Sequence, residues 1–230
     1  MLSRRSILLC ALLGIAILGW LVWRNSSSRP QPEEASVPAI SKQPVVYASR
    51  VFDPAAPPAD MPPLSSGETA QCDSDFLSDA SVRGVSRLAE AAHATLIVTQ
   101  VRMTLQLNIN VWLPVGASQH LTEHEEGHRQ ISEYYYQAAD KLAAQITTTY
   151  MGRQVEIAGA DLNAESTKAL QELARDITAE YNKELDPNPA QLLFDSITDH
   201  GRNDVAVKDA VAHAIKNASI EASSAKNPSL

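Results

Sequence analysis

Cysteine is nearly absent, with two in 230 residues. Cys10 falls in an apolar N-terminal run and Cys72 far beyond it. The two have no common environment for a disulfide, so Cys72 reads as a lone, buried small residue. A cysteine-built zinc site is excluded. Basic residues are also in deficit. The first 24 residues hold Arg4, Arg5 and Arg24 and no acid, so the chain's net charge of −8 becomes −11 for the rest. Phosphate binding needs clustered Lys and Arg, so no nucleic-acid partner is expected. A peripheral hold on anionic lipid is disfavoured for the same reason.

Long apolar runs are missing except for one. Ile7 to Trp23 is almost wholly apolar and follows Arg4 and Arg5. Its length and its terminal Trp20 and Trp23 suit a bilayer span, and the leading arginines favour a cytoplasmic N-terminus. Residues 1–24 are therefore expected to be a signal anchor or transmembrane helix in a bacterial inner membrane. The remainder then faces the periplasm, or is secreted if the leader is cleaved. Residues 25–66 hold nine of the thirteen prolines and read as a disordered tether. Residues 67–222 read as one domain and 223–230 as a flexible tail.

Within that domain, Val82, Val85, Leu88, Ala89 and Ala92 recur at helical spacing, which predicts a helix from Ser81 to Ala94. Thr95–Val101 is β-branched and apolar. Met103, Leu105, Leu107, Ile109, Val111 and Leu113 alternate with polar residues, as in a strand with one buried face. Pro114 stops it, and Ser118 suits an N-cap for a long helix reaching about Tyr150. A further helix is expected from Asp161 or Asn163 to Leu185, ended by Pro187 and Pro189, and a last one from Asn203 to about Ala222. The class is α+β.

The predicted long helix carries His124-Glu125-Glu126-Gly127-His128, an HExxH motif. Residues i and i+4 share a helical face, so both imidazoles can address one point and form half of a tetrahedral zinc site. Glu125 follows the first His, where its carboxylate can take a proton from a water activated by the metal. The implied chemistry is metal-assisted hydrolysis, most simply of a peptide bond.

A catalytic zinc site needs a third protein ligand. His120 shares the stripe but lies about 12 Å from His128 along the helix, too far for one metal. His93 and His213 sit on predicted helices, where a core role is commoner. His200 lies in a polar turn with Asp195 and Asp199 beside it, either able to accept its second N–H. Asp199 itself and Glu172 are the alternatives as ligand.

His124-Glu125-x-Gly127-His128 with Ile131 and Tyr134-Tyr135, then Phe194-Asp195-x-x-Thr198-x-His200-Gly201, resembles a bacterial family of unknown function. That family is described as secreted or periplasmic zinc-dependent proteases of the zincin superfamily. The resemblance spans roughly residues 70–220. It implies a zincin-like fold, with an antiparallel sheet packed on the HExxH helix, and Zn2+ held by His124, His128 and His200. It also implies Glu125 as general base and a peptide or protein substrate. Arg129 departs from the aromatic residue usual after the second His. In zincins an edge strand takes up an extended substrate, a role the polar face of Met103–Leu113 could fill. Tyr134, Tyr135, Tyr136, Arg129 and His120 are candidates to stabilise an oxyanion. The rival expectation is a non-catalytic envelope module with a structural or vestigial zinc.

Overall fold

The computed structural model describes residues 37–64 and 67–226. The expected membrane span and the first part of the expected tether lie outside these residues. No helix among the described residues is long and apolar enough to cross a membrane.

The frame is a hairpin of two long strands, β3 (Gln71–Glu90) and β4 (His93–Pro114), antiparallel throughout. β4 is the central strand. β3 takes one edge, and β5 (Gln154–Ala158), β1 (Ala39–Lys42) and β2 (Val46–Phe52) follow one another along the other. β5 is antiparallel to β4, whereas β1 and β2 are parallel to it. The sheet is therefore mixed, not the antiparallel sheet expected.

The alternation in β4 matches its burial. Val101, Met103, Leu105, Leu107, Ile109 and Val111 face the core, each at most 3% exposed. Burying each such side chain contributes roughly 1.5–3 kcal/mol before entropy is charged against it.

Four further expectations are corrected. Ser81–Ala94 is strand and turn, not helix: nineteen residue pairs with β4 outweigh a weak 3.6-residue spacing. Gly84 permits the shift of register there, since a Cβ would lie 2.7 Å from the Ile97 carbonyl oxygen. His93 accordingly starts β4 and is exposed, not set in a core helix. Residues 37–52, expected to be tether, supply β1 and β2. Finally, β4 is paired on both edges and has no free backbone for strand addition by a substrate.

Five helices complete the fold among the described residues. α1 (Gln119–Gln137) starts at Ser118, whose side chain accepts from the Leu121 amide. It breaks at Ala138 and continues as α2 (Ala139–Tyr150), where one unbroken helix was expected. α3 (Leu162–Glu184) starts at Asp161, which accepts from the Asn163 and Ala164 amides. These three helices pack on the sheet through Tyr136, Ala139, Ala143, Ile146, Leu173, Ile177 and Tyr181. α4 (Asn188–Thr198) and α5 (Val207–Lys226) form a second cluster with α1, built on Ile131, Ala190, Phe194, Ala210, Val211 and Ala214. That cluster positions the site.

Candidate metal centre

His124 and His128 sit one turn apart on α1, facing α4. Gln191, Phe194, Asp195 and Thr198 occupy positions i, i+3, i+4 and i+7 of α4 and so share one face. All four meet the motif histidines. Phe194, fully buried, stacks on the His124 ring at 5.1 Å between centroids and 15° between planes. It meets the His128 ring edge-on at 4.9 Å. A Cβ on Gly127 would lie 2.3 Å from Phe194 Cζ, so glycine is what lets the two helices approach this closely.

The hydrogen bonds behind the imidazoles fix their tautomers. Gln191 donates its amide to the His128 carbonyl (3.1 Å) and to Ser132 Oγ (2.9 Å). Its Oε1 is left facing His128 Nδ1 at 2.6 Å, where it accepts the ring N–H. Thr198 donates its hydroxyl to the Phe194 carbonyl at 2.8 Å. Toward His124 Nδ1, 3.3 Å away, Thr198 is therefore an acceptor. Both Nδ1 atoms carry hydrogen, and both Nε2 lone pairs are free to bind a cation.

Those lone pairs converge with a carboxylate. The two Nε2 atoms are 3.2 Å apart. Asp195 Oδ1 lies 2.9 Å from Nε2 of His128 and 3.4 Å from Nε2 of His124. Among the described residues, these three form a group of possible ligand atoms within 4.8 Å of one another. With the imidazoles neutral and bonded as described, Asp195 Oδ1 is buried with no donor. Positive charge at the centre relieves that arrangement. A proton can supply it. Burial opposes protonation of His128, but Asp195, Gln191 and Glu125 outweigh this and raise its pKa. Burial likewise opposes charge on Asp195, yet the two imidazoles hold its carboxyl well below the usual range.

A metal ion supplies the charge better. Ligands about 2.0–2.1 Å from a tetrahedral centre stand roughly 3.3–3.4 Å apart. The observed triangle is within a few tenths of an ångström of that. The residues fit a divalent cation bound by two imidazoles and one carboxylate, a donor set that suits zinc.

Glu125 is 4% exposed. Burial pushes its carboxyl up to about 7; His128 offsets part of this, Glu68 and Asp195 add to it, and the Cys72 backbone N–H lowers it. The site opens into a cleft of about 600 Å³. Its walls are Gly67–Cys72 and Ser74 on one side, and Pro187, Asn188, Gln191 and the His200–Arg202 turn on the other.

The site residues expected from sequence are thus partly reassigned. The structure brings His124 and His128 together with Asp195, not with His200. His200 stands at the mouth with its side chain 46% exposed, and its Nδ1 is 3.9 Å from Asp195 Oδ1. Asp199 points outward, 62% exposed, toward Arg202. Glu172 is 51% exposed on α3, 3.9 Å from Arg175 and away from the cleft. Asp195 had been read as a support for His200; the signal that identifies it is its shared face with Gln191, Phe194 and Thr198. None of the expected oxyanion candidates lines the cleft. Tyr136 donates to the Gln43 and Leu105 carbonyls, and Arg129 is paired with Glu126 and Glu133.

No family model, curated protein or solved structure matches this chain. The zincin resemblance therefore rests on the motif residues themselves.

Proposed function

We propose that this chain is a zinc-dependent peptidase, anchored in the membrane by its first 24 residues and facing the periplasm. The observation that carries the reading is the triangle of His124, His128 and Asp195 beside a buried Glu125, all opening on one cleft. A structural zinc is enclosed by four protein ligands, whereas three ligands at the floor of an open cleft suit catalysis. A zinc ion there supplies Lewis acidity, which makes water a usable nucleophile near neutral pH and polarises a carbonyl. Glu125 takes the proton from the attacking water and delivers it to the leaving amine. Its place beside the two histidines, at the edge of the cleft, suits both halves of that exchange.

β3 supports a peptide as the substrate. It pairs only with β4 among the described residues, so its outer edge is unpaired, and its first residues line the cleft. An extended peptide can align there by backbone hydrogen bonds. The placement at the membrane rests on Arg4, Arg5 and the run from Ile7 to Trp23.

The test is elemental analysis of the full chain and its Glu125→Gln variant, with hydrolysis followed on a pool of internally quenched peptides. One zinc per chain is expected in both. Hydrolysis by the variant should fall by about 10²–10⁴-fold. Equal hydrolysis by variant and parent would show that Glu125 is not the base. Folded protein that takes up no metal would overturn the reading and favour a non-catalytic envelope module.

A further inference from the structure

The turn after α4 is strained. Asp199, His200 and Gly201 adopt left-handed backbone in succession, at φ of 48°, 53° and 72°. Two of the three are not glycine, and such conformations persist only where the surroundings over-determine them. Here they do. The His200 amide donates to the Asp195 carbonyl at 3.0 Å and the Arg202 amide to the Thr198 carbonyl at 3.1 Å. Gly201 lies flat on a ligand ring, since a Cβ there would be 2.9 Å from His124 Cγ. The turn is clamped between the end of α4 and the His124 ring. The result is that the His200 imidazole stands over the cleft beside the metal ligands.

His200 differs from His124 and His128 in what lies behind its ring. Both ligands give an Nδ1–H to a protein acceptor, as metal-bound histidines do. His200 makes no side-chain hydrogen bond among the described residues. Its Nδ1 faces Glu68 Oε1 at 4.0 Å and Asp195 Oδ1 at 3.9 Å, beyond bonding distance from either. An imidazole with an uncommitted N–H, carried on a clamped backbone at the edge of a reacting centre, is equipped to donate to a substrate.

We infer that His200 is a catalytic residue of the peptidase proposed above, on which this inference rests. Its ring N–H donates to the oxygen of the scissile carbonyl. Water adds to the carbonyl carbon, the π pair moves onto that oxygen, and His200 stabilises the negative charge as it develops. Glu125 holds the proton lost by the water and passes it to the amine nitrogen. The C–N bond then breaks, the oxygen's pair re-forms the carbonyl, and a carboxylic acid and an amine leave. Arg202, also at the mouth, is more exposed and turns toward Asp199.

The experiment compares the full-length parent with His200→Ala and His200→Gln. The readouts are zinc content, kcat and KM on one internally quenched peptide that the parent cleaves. Alanine should lower kcat by about 10²–10³-fold. KM should stay within about threefold and zinc at one per chain, because the lost contact strengthens only in the transition state. Glutamine, which keeps an N–H donor, should recover roughly tenfold over alanine. A fall of zinc in His200→Ala would make His200 a ligand and overturn the inference while leaving the peptidase reading intact. Unchanged kcat, or glutamine no better than alanine, would also overturn it. A parent that holds zinc but cleaves no peptide in the pool would refute the peptidase reading itself, and this inference with it.

Discussion

Replacing Gln191 by leucine tests how far the polar contacts behind His128 support metal affinity. Gln191 touches no metal; it accepts His128 Nδ1–H at 2.6 Å, held by its own donations to the His128 carbonyl and Ser132 Oγ. Leucine has nearly the same volume, so packing is roughly conserved. Ser132 still donates to the His128 carbonyl at 3.1 Å, so α1 keeps that anchor. Two donations are lost with the substitution, and so is the acceptor that holds His128 in the tautomer with a free Nε2 lone pair. Loss of such outer-shell partners costs about 10–100-fold in metal affinity. That range is about 1.4–2.7 kcal/mol, at roughly 1.4 kcal/mol per decade. The assay is competition for zinc against a chromogenic chelator at fixed pH, with chain folding checked by circular dichroism. Gln191→Glu is the companion, because it keeps the acceptor and should bind zinc more tightly than the leucine variant. Leucine binding within about twofold of the parent would refute the assignment of Gln191 as the group that sets the tautomer.

The remaining predictions concern the joint between α1 and α4. Gly127→Ala places a methyl 2.3 Å from Phe194 Cζ. It should cost about 1–3 kcal/mol of stability, read as a lower urea midpoint; an unchanged midpoint would mean that the helices separate without cost. Zinc should also act as a clamp, since its ligands lie on both helices. At free zinc about 100 times Kd the bound state gains about 2.7 kcal/mol. For a chain of this size that is a Tm shift of roughly 5–11 °C, at about 2–4 °C per kcal/mol, lost on chelation. An identical Tm for zinc-loaded and chelated protein would refute the clamp.

The elements that local physics dictates are the ones the sequence showed. α1 announces itself by Ser118 and the stripe from His128 to Tyr135, and β4 by strict alternation over Met103–Leu113. The elements that distant partners dictate were hidden. β1 and β2 have four and seven residues, stand either side of Pro44, and find their strand partner in β4, some sixty residues on. The hairpin was illegible for a different reason. Its turn is Ala91–Ala92, with Ala92 at φ 66°, where glycine or asparagine would usually mark a reversal. Without that mark, Val82, Val85 and Leu88 looked helical. α4 was lost because Pro187 and Pro189 read as a stop. Proline is equally at home in the first turn of a helix, where its missing N–H has no partner to lose.

The hidden α4 also explains why His200, and not Asp195, stands out in the sequence as a third ligand. With 194–201 taken as a loop, a histidine flanked by carboxylates is the natural ligand. Once 188–198 is a helix, its period brings Asp195 to the two motif histidines. Gln191, Phe194, Asp195 and Thr198 fall on one face, and His200 lies past the helix end, on a backbone that has already turned left-handed. Two residues of that face set the tautomers, one packs against both rings, and one carries the charge. A helix serving only as packing would place apolar residues at 191, 195 and 198, as α5 does with Ala210, Val211, Ala214 and Ala218. Setting a carboxylate whose Oδ1 is buried without a donor against two histidines is costly unless the centre holds positive charge. The cost is met on one side only, toward α1, while the cleft side of the triangle is left open beside Glu125. That asymmetry is what a site built to bind a metal and act on a substrate requires, and what a metal placed only to hold two helices together does not.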